Sequence, residues 1–226
     1  MPSESLSFTL RPVDTYNDLL RACQARAEAY GHKVPDYRES MLVPDAVDLS
    51  PWTMVFICED KATGQAVGSM RIQTTTRGSN QLEIEKYVTP PPQFLDFGRA
   101  EISRLSAIPG ADPFVRLAMW KAGYLYCKAT QVGCLMVGVR KPSLIRAYEQ
   151  MGFKDIYEDH HQVQLRYAGN LPYRIMACDI VAAERMWYDD AHPMLSFMAR
   201  TIHADIAIVP TSVHRQATEQ VRLRVV

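Results

Sequence analysis

Arg99-Ala100-Glu101-Ile102-Ser103-Arg104-Leu105-Ser106-Ala107-Ile108 decides how the rest of the chain is read. It follows Gly98 and stops at Pro109-Gly110. Aliphatic residues alternate with polar ones and a turn pair ends the run, so a strand is expected. Yet two arginines and a glutamate fall within residues 99–104. A strand inside a sheet does not accept three charges unless they pair with one another or bind something.

The elements on either side suit such a strand. Downstream, Asp112-Pro113 reads as an N-cap followed by proline at the first helical position. The helix is expected to run to about Gln131 and to end at Gly133. Cys134 to Val139 is apolar throughout and reads as a buried strand. Pro142 opens a shorter helix that closes at Gly152, and Phe153–Glu158 and Tyr173–Ile180 read as strands. Ala182–Trp187 and Leu195–His203 look helical, and the last twenty residues are partly β-like and without a place in the order. Upstream, Ser7–Val13 is a short strand. Thr15 then opens a helix, with Asp18 in place of the usual Glu of a capping box. That helix runs to Gly31 with Tyr16, Leu19, Leu20, Cys23, Ala27 and Tyr30 as its apolar face. Residues 32–51 read as a long loop, and loops of that length in compact domains are often functional. Thr53–Glu59 and Gln65–Thr75 form a hairpin about the turn at 60–64. Val67, Ser69, Arg71 and Gln73 share one face of its second strand. Residues 77–92 are polar and proline-rich, a second loop. The order strand–helix–hairpin–strand–helix–strand–helix–strand–strand predicts one mixed α/β domain with helices on the faces of a central sheet.

Composition narrows the function. The 226 residues carry 25 basic and 25 acidic side chains, so no general polyanion or nucleic-acid surface is expected. No apolar run approaches the length of a membrane span. The first residues, Met-Pro-Ser-Glu-Ser, lack an apolar signal region, and a cytoplasmic protein is expected. The five cysteines are scattered singly, which reads as buried reduced thiols.

The charges expected to be buried are Arg26, Arg71, Glu101 and Arg104, with Asp45 and Asp48 in the loop after the first helix. Arginine's planar fork suits carboxylates held in two-point geometry. Such a cluster either binds a small zwitterion such as an amino acid or is a structural ion-pair network, and residue types alone do not choose. Glu101 and Ser103 are two apart on one strand and share a face, where a carboxylate can take a proton from an amine. Arg104 then points to the opposite face, or is re-aimed by a bulge. His160-His161 reads as an exposed hairpin tip rather than a metal site, and no phosphate-loop or nucleophile-elbow motif is present.

In this order the residues resemble a known group. The run of elements, with Tyr148-Glu149-Gln150-Met151-Gly152-Phe153 closing the short helix, resembles the GNAT acyltransferase superfamily. Glu101-Ile102-Ser103-Arg104 is similar to the E-x-S-R of acyl-homoserine lactone synthases and of the related long-chain N-acyl amino acid synthases. Arg26 and Tyr30 on the first helix, the acidic pair Asp45 and Asp48, and Arg71 on the third strand match that group as well. The resemblance covers about residues 7–180, leaving 181–226 as an extension of a single acyltransferase domain.

It implies a GNAT-like mixed sheet, splayed between the fourth and fifth strands. It implies a soluble enzyme moving a long-chain fatty acyl group from the phosphopantetheine thioester of acyl carrier protein, or from acyl-CoA, to the amine of an amino acid. No permanently bound cofactor or metal is implied. Glu101 would be the base, acting with Ser103 or a water. Arg26, Tyr30, Asp45, Asp48, Arg71 and Arg104 would form the acceptor pocket. Met136, Leu135, Met119 and Phe114 would line an acyl tunnel. Arg116, Lys121, Arg140, Lys141 and Arg146 would dock the acidic carrier.

Two departures refine this. Gly31-His32-Lys33-Val34-Pro35-Asp36 lacks the tryptophan of lactone synthases, which favours the open N-acyl amino acid as product. Pro109-Gly110-Ala111-Asp112-Pro113 lacks the pyrophosphate loop of acetyl-CoA users, which favours a carrier-protein donor. The alternatives are a lactone signal synthase using S-adenosylmethionine and a non-catalytic acyl-binding module.

Overall fold

The structure, a computed structural model, describes residues 4–31, 38–75 and 80–209. The expected tryptophan position after the first helix, parts of both predicted loops and most of the C-terminal tail lie outside these residues. The strands are β1 (Phe8–Pro12), β2 (Thr53–Asp60), β3 (Ala66–Thr74), β4 (Gly98–Ala107), β5 (Val132–Val139), β6 (Lys154–Asp155), β7 (Gln162–Leu165) and β8 (Leu171–Asp179). The helices are α1 (Tyr16–Gly31), α2 (Arg38–Met41), α3 (Phe114–Ala129), α4 (Pro142–Gln150) and α5 (Ile180–Asp189). The strands form one mixed sheet, ordered β1-β2-β3-β4-β5-β8-β6, with β7 on β8. β4 and β5 are parallel, and their ladder runs from Gly98–Val132 to Ile102–Val137. No described helix is long and apolar enough to cross a membrane.

The chain divides into two compact units: Met1–Ile72, Arg104–Gly123 and Ile202–Val226 in one, Gln73–Ser103 and Tyr124–Thr201 in the other. It passes between them inside β3, β4 and α3.

In the first unit β1 pairs antiparallel with β2, and α1 buries Leu19, Ala22 and Cys23 against Val55 and Ile57. The Thr15 hydroxyl accepts the Asp18 N–H at 3.0 Å, half of the expected capping box. The Asp18 carboxylate instead receives the Arg11 guanidinium at 3.0 and 3.1 Å, because an ion pair outweighs a second cap bond. Tyr16, expected on the apolar face, is 45% exposed. Gly68 lets β3 run close to its neighbours: a Cβ there would meet the Ser106 carbonyl oxygen at 2.9 Å and Val115 at 3.0 Å. Residues 202–207, of which 202 and 203 are expected at the end of a helix, instead lie along the free edge of β1. Leu10 donates its N–H to Asp205 and accepts from Ala207, both at 2.8 Å, in a parallel bridge.

In the second unit β5 and β8 form the long antiparallel ladder, with β6 and β7 on β8. Met136, Ile175 and Leu165 pack there with Leu82, Ile84 and Phe94 from the segment before β4. α3 closes earlier than expected. Gln131 takes the left-handed conformation at φ 57°, so the turn is made before Gly133, which instead lies in β5 against Phe97. Gly152, at φ 95°, ends α4 as expected, and Phe153 stacks edge-on against Tyr148 at 4.9 Å. β7 has no counterpart among the predicted strands, and the expected helix from Leu195 reduces to a π-helical turn at Ser196–Arg200.

Candidate active site

The predicted site residues fall in both units. In the first, α1 supplies Arg26 and Tyr30, β3 supplies Arg71, and the C-terminal half of β4 supplies Arg104. The loop between α2 and β2 folds into a tight turn. Asp45 accepts the N–H groups of Val47 and Asp48, each at 2.9 Å, while Asp48 accepts the Asp45 N–H at 3.1 Å. Each aspartate thus orients the other, and both present oxygens to arginines. Arg26 reaches Asp48 at 2.8 Å. Arg71 reaches Asp45 at 2.8 Å and Asp48 at 3.4 Å. Arg104 reaches Asp45 at 3.4 Å and the Met41 sulfur at 3.0 Å.

Burial makes this network costly and specific. Arg26 and Arg71 are among the largest fully buried side chains, and the Asp48 side chain is 0% exposed. Two features are unusual. The Nε and Nη2 of Arg26 are buried and have no hydrogen-bond partner among the described residues. Arg104 has φ 56°, a left-handed conformation that costs a non-glycine residue about 1–2 kcal/mol. That backbone turn inside β4 decides between the two directions the sequence left open for Arg104: it is re-aimed, toward Asp45. Burial alone would raise the Asp45 carboxyl, but Arg71 and the Asp48 N–H outweigh it and hold the group below its usual range. Burial raises the Tyr30 phenol against the pull of Arg104, Arg26 and Arg71, and its hydroxyl donates to the Leu105 carbonyl at 3.5 Å.

In the second unit stand Glu101 and the half-buried Ser103. Glu101 is 1% exposed. One carboxylate oxygen accepts the Ile84 N–H at 2.8 Å, the other the Tyr167 hydroxyl at 2.7 Å. Ile84 lies in a 3-10 turn anchored by Gln73, which accepts the Glu83 N–H at 2.8 Å, and by Glu85, which pairs with Arg99. Arg99 is thus paired by Glu85 and Arg104 by Asp45. Tyr167, 66 residues from Glu101 along the chain, carries no sequence signal for this role.

The proposed tunnel residues are heterogeneous. Met136, Leu135 and Met119 are buried, whereas Phe114, on the first turn of α3, is 53% exposed. Of the proposed docking cations, Arg116, Arg140, Lys141 and Arg146 are exposed. Lys121 is not: it is 3% exposed and its Nζ lies 2.8 Å from His203 Nδ1. Lys121 cannot meet a carrier protein, because its position on the helix faces the core rather than solvent. His160, at the expected exposed tip, pairs with Asp155 at 2.7 Å, and no group of three or more potential metal ligands occurs among the described residues. All five cysteines are buried, and burial pushes the Cys23 thiol up to about 11 and Cys127 and Cys134 to about 12.

Comparison with known proteins places this geometry in a fold. No family model matches the sequence, and no curated protein does. Solved structures do. FeeM, an N-acyl amino acid synthase from uncultured soil microbes, superposes with a TM-score of 0.61 at 15% identity, over 84% of this chain and 97% of its own. BjaI, a CoA-dependent acyl-homoserine lactone synthase solved with SAM and isopentyl-CoA, gives 0.55 at 11% identity, over 94% and 99%. The PaiA N-acetyltransferase of Thermoplasma acidophilum, solved with coenzyme A, gives 0.51 at 13% identity, over 77% and 99%. The chain has the GNAT fold.

Proposed function

We propose that this chain is an N-acyltransferase that moves a long-chain fatty acyl group from the phosphopantetheine thioester of acyl carrier protein to the amine of an amino acid. The observation that carries the reading is the buried network of Arg26, Asp48, Arg71, Asp45 and Arg104, built from four separate segments on a GNAT fold. With Tyr30, it makes up the set that the sequence resemblance assigns to the acceptor. In the ion pairs among the described residues, three guanidinium groups face two carboxylates, which favours an added anion. The open N–H groups of Arg26 are donors for one. The carboxylate of an amino acid satisfies both demands.

An amino acid arrives as an ammonium, and the overall reaction is R-NH3+ plus thioester to amide, thiol and one released proton. The amine must be deprotonated before its nitrogen lone pair attacks the thioester carbon. As the tetrahedral intermediate collapses, the C–S bond breaks and the departing sulfur takes a proton. Glu101 is the proposed base, directly or through a water with Ser103; a buried carboxylate held by two donors is oriented for that role. GNAT folds bind the pantetheine arm where the fourth and fifth strands part, and the β4–β5 ladder ends beyond Ile102–Val137. The capping carboxylate of Asp112 accepts the Phe114 N–H at 2.8 Å, occupying a donor that a CoA pyrophosphate would need at the start of α3. That favours a carrier-protein donor, and Arg116, Arg140, Lys141 and Arg146 remain as its proposed docking cations.

Mass spectrometry of lipids from cells overexpressing the chain tests the reading, together with transfer assays on purified protein using acyl carrier protein and CoA thioesters. An N-acyl amino acid is the expected product, and Glu101→Gln should lower kcat at least ~100-fold. A lactone product, or no transfer from any donor, would overturn it.

A further inference from the structure

We infer that Tyr167 is a positioning residue for Glu101, keeping that carboxylate ionised and aimed for proton transfer. The inference rests on the acyl-transfer reading above for its chemical meaning, and on geometry for its mechanism.

A carboxylate that is 1% exposed has lost almost all of its water. Burial disfavours the charged form, and a base must be charged before it can accept a proton. Donors aimed at the carboxylate offset the loss. The Ile84 N–H stands at 2.8 Å, and the Tyr167 hydroxyl at 2.7 Å on the opposite oxygen. A phenol is well matched to the task. Its proton is acidic enough to make a strong bond to a carboxylate, yet it stays on the phenol oxygen at neutral pH.

The local backbone is shaped around that one side chain. Tyr167 sits in a 3-10 turn, Arg166–Ala168, which links β7 to β8. The turn closes through left-handed residues, Gly169 at φ 83° and Asn170 at φ 52°. It is fastened by the Asn170 N–H on the Leu165 carbonyl at 2.9 Å and by the Tyr173 hydroxyl on the Ala168 carbonyl at 3.2 Å. The ring of Tyr87 stands 5.8 Å from that of Tyr167. Tyr87 belongs to the segment whose Ile84 supplies the other donor, so both donors and the packing of the phenol are set by the same two loops. A hairpin can be connected by two residues; the longer, fastened turn fixes where the hydroxyl stands.

The test is Tyr167→Phe, which keeps the ring and its packing and removes only the hydroxyl. Loss of a donor to a carboxylate favours its protonated form. The acid limb of the pH–rate profile should therefore move to higher pH by about one unit. On the acid limb kcat should fall roughly tenfold and approach wild type as pH rises above it, with KM for both substrates within about twofold and the melting temperature unchanged within a few degrees. An unchanged rate and profile would overturn the proposal, and so would a slower variant whose acid limb has not moved. A second measurement separates this from the parent reading. Difference infrared spectroscopy, with Glu101→Gln as the blank, follows protonation of the carboxyl directly. If wild type transfers no acyl group, the acyl-transfer reading falls, while an upward-shifted carboxyl titration in Tyr167→Phe still supports the coupling and an unshifted one overturns it.

Discussion

Asp48 is the residue on which the first unit's charge network turns. It accepts from Arg26 and Arg71 and caps the Asp45 turn, with its side chain out of solvent. Breaking a buried ion network by removing one partner leaves unpaired charge and typically costs 3–5 kcal/mol. Asp48→Asn, nearly isosteric, is expected to lower stability by about 3 kcal/mol in urea denaturation at pH 7. Asp45 adds a pH signature. Its carboxyl is held low in the folded chain, chiefly by Arg71 against burial, so its stabilisation is complete above the unfolded carboxylate range and disappears as pH falls through the lower folded value. An Asp45→Asn variant should lose less stability than wild type between pH 5 and pH 3, read from urea midpoints at each pH. Reading at this scale gave residue type and left the direction of Arg104 open between two alternatives. Three charges in one strand called for partners, because buried charge needs them, and each has at least one. Whether Arg104 turned back depended on a single backbone angle at φ 56°, which side-chain chemistry does not encode.

At the scale of elements, close approach matters more than propensity. The Gly68 position lies against the Ser106 carbonyl, 2.9 Å from where a Cβ would stand. Gly68→Ala forces β3 away from backbone that cannot yield, and a loss of about 1–3 kcal/mol is expected in thermal or urea unfolding. The edge of β1 is the other sensitive element. Ala207 donates its N–H to Leu10 at 2.8 Å. Ala207→Pro removes that donor and exposes an unpaired strand edge, which templates association. Light scattering should show concentration-dependent aggregation absent from wild type. Elements with strong local signals were legible: the capped α3, the α4 that ends at Gly152, and the β2–β3 hairpin. β7, only Gln162-Val163-Gln164-Leu165, was not, because its pairing with β8 rather than its own pattern makes it a strand. The same holds for 202–207, whose extended form comes from β1.

For the molecule as a whole, the GNAT fold was legible because element order and the residues around Glu101 agreed. Long-range partners were not. Tyr167 on Glu101 and His203 on Lys121 join residues that no local period connects. The second pair makes a measurable prediction. Burial lowers the Lys121 ammonium to about 8 in the folded chain, against about 10.4 when unfolded. Between those values the unfolded chain binds more protons, so stability should rise as pH is raised from about 8 to about 10. Lys121→Met should flatten that rise in urea midpoints taken across the range.

The segment on β1 also sets a timetable for the growing polypeptide. The Leu6 N–H binds the Asp205 carboxylate across 199 positions of sequence. At ribosomal speeds of roughly 5–20 residues per second, β1 emerges about ten to forty seconds before the segment that covers it. Through that interval the nascent chain carries an open strand edge. Slowing translation of the second half of the message would lengthen this window, and chaperone occupancy of the nascent chain should lengthen with it.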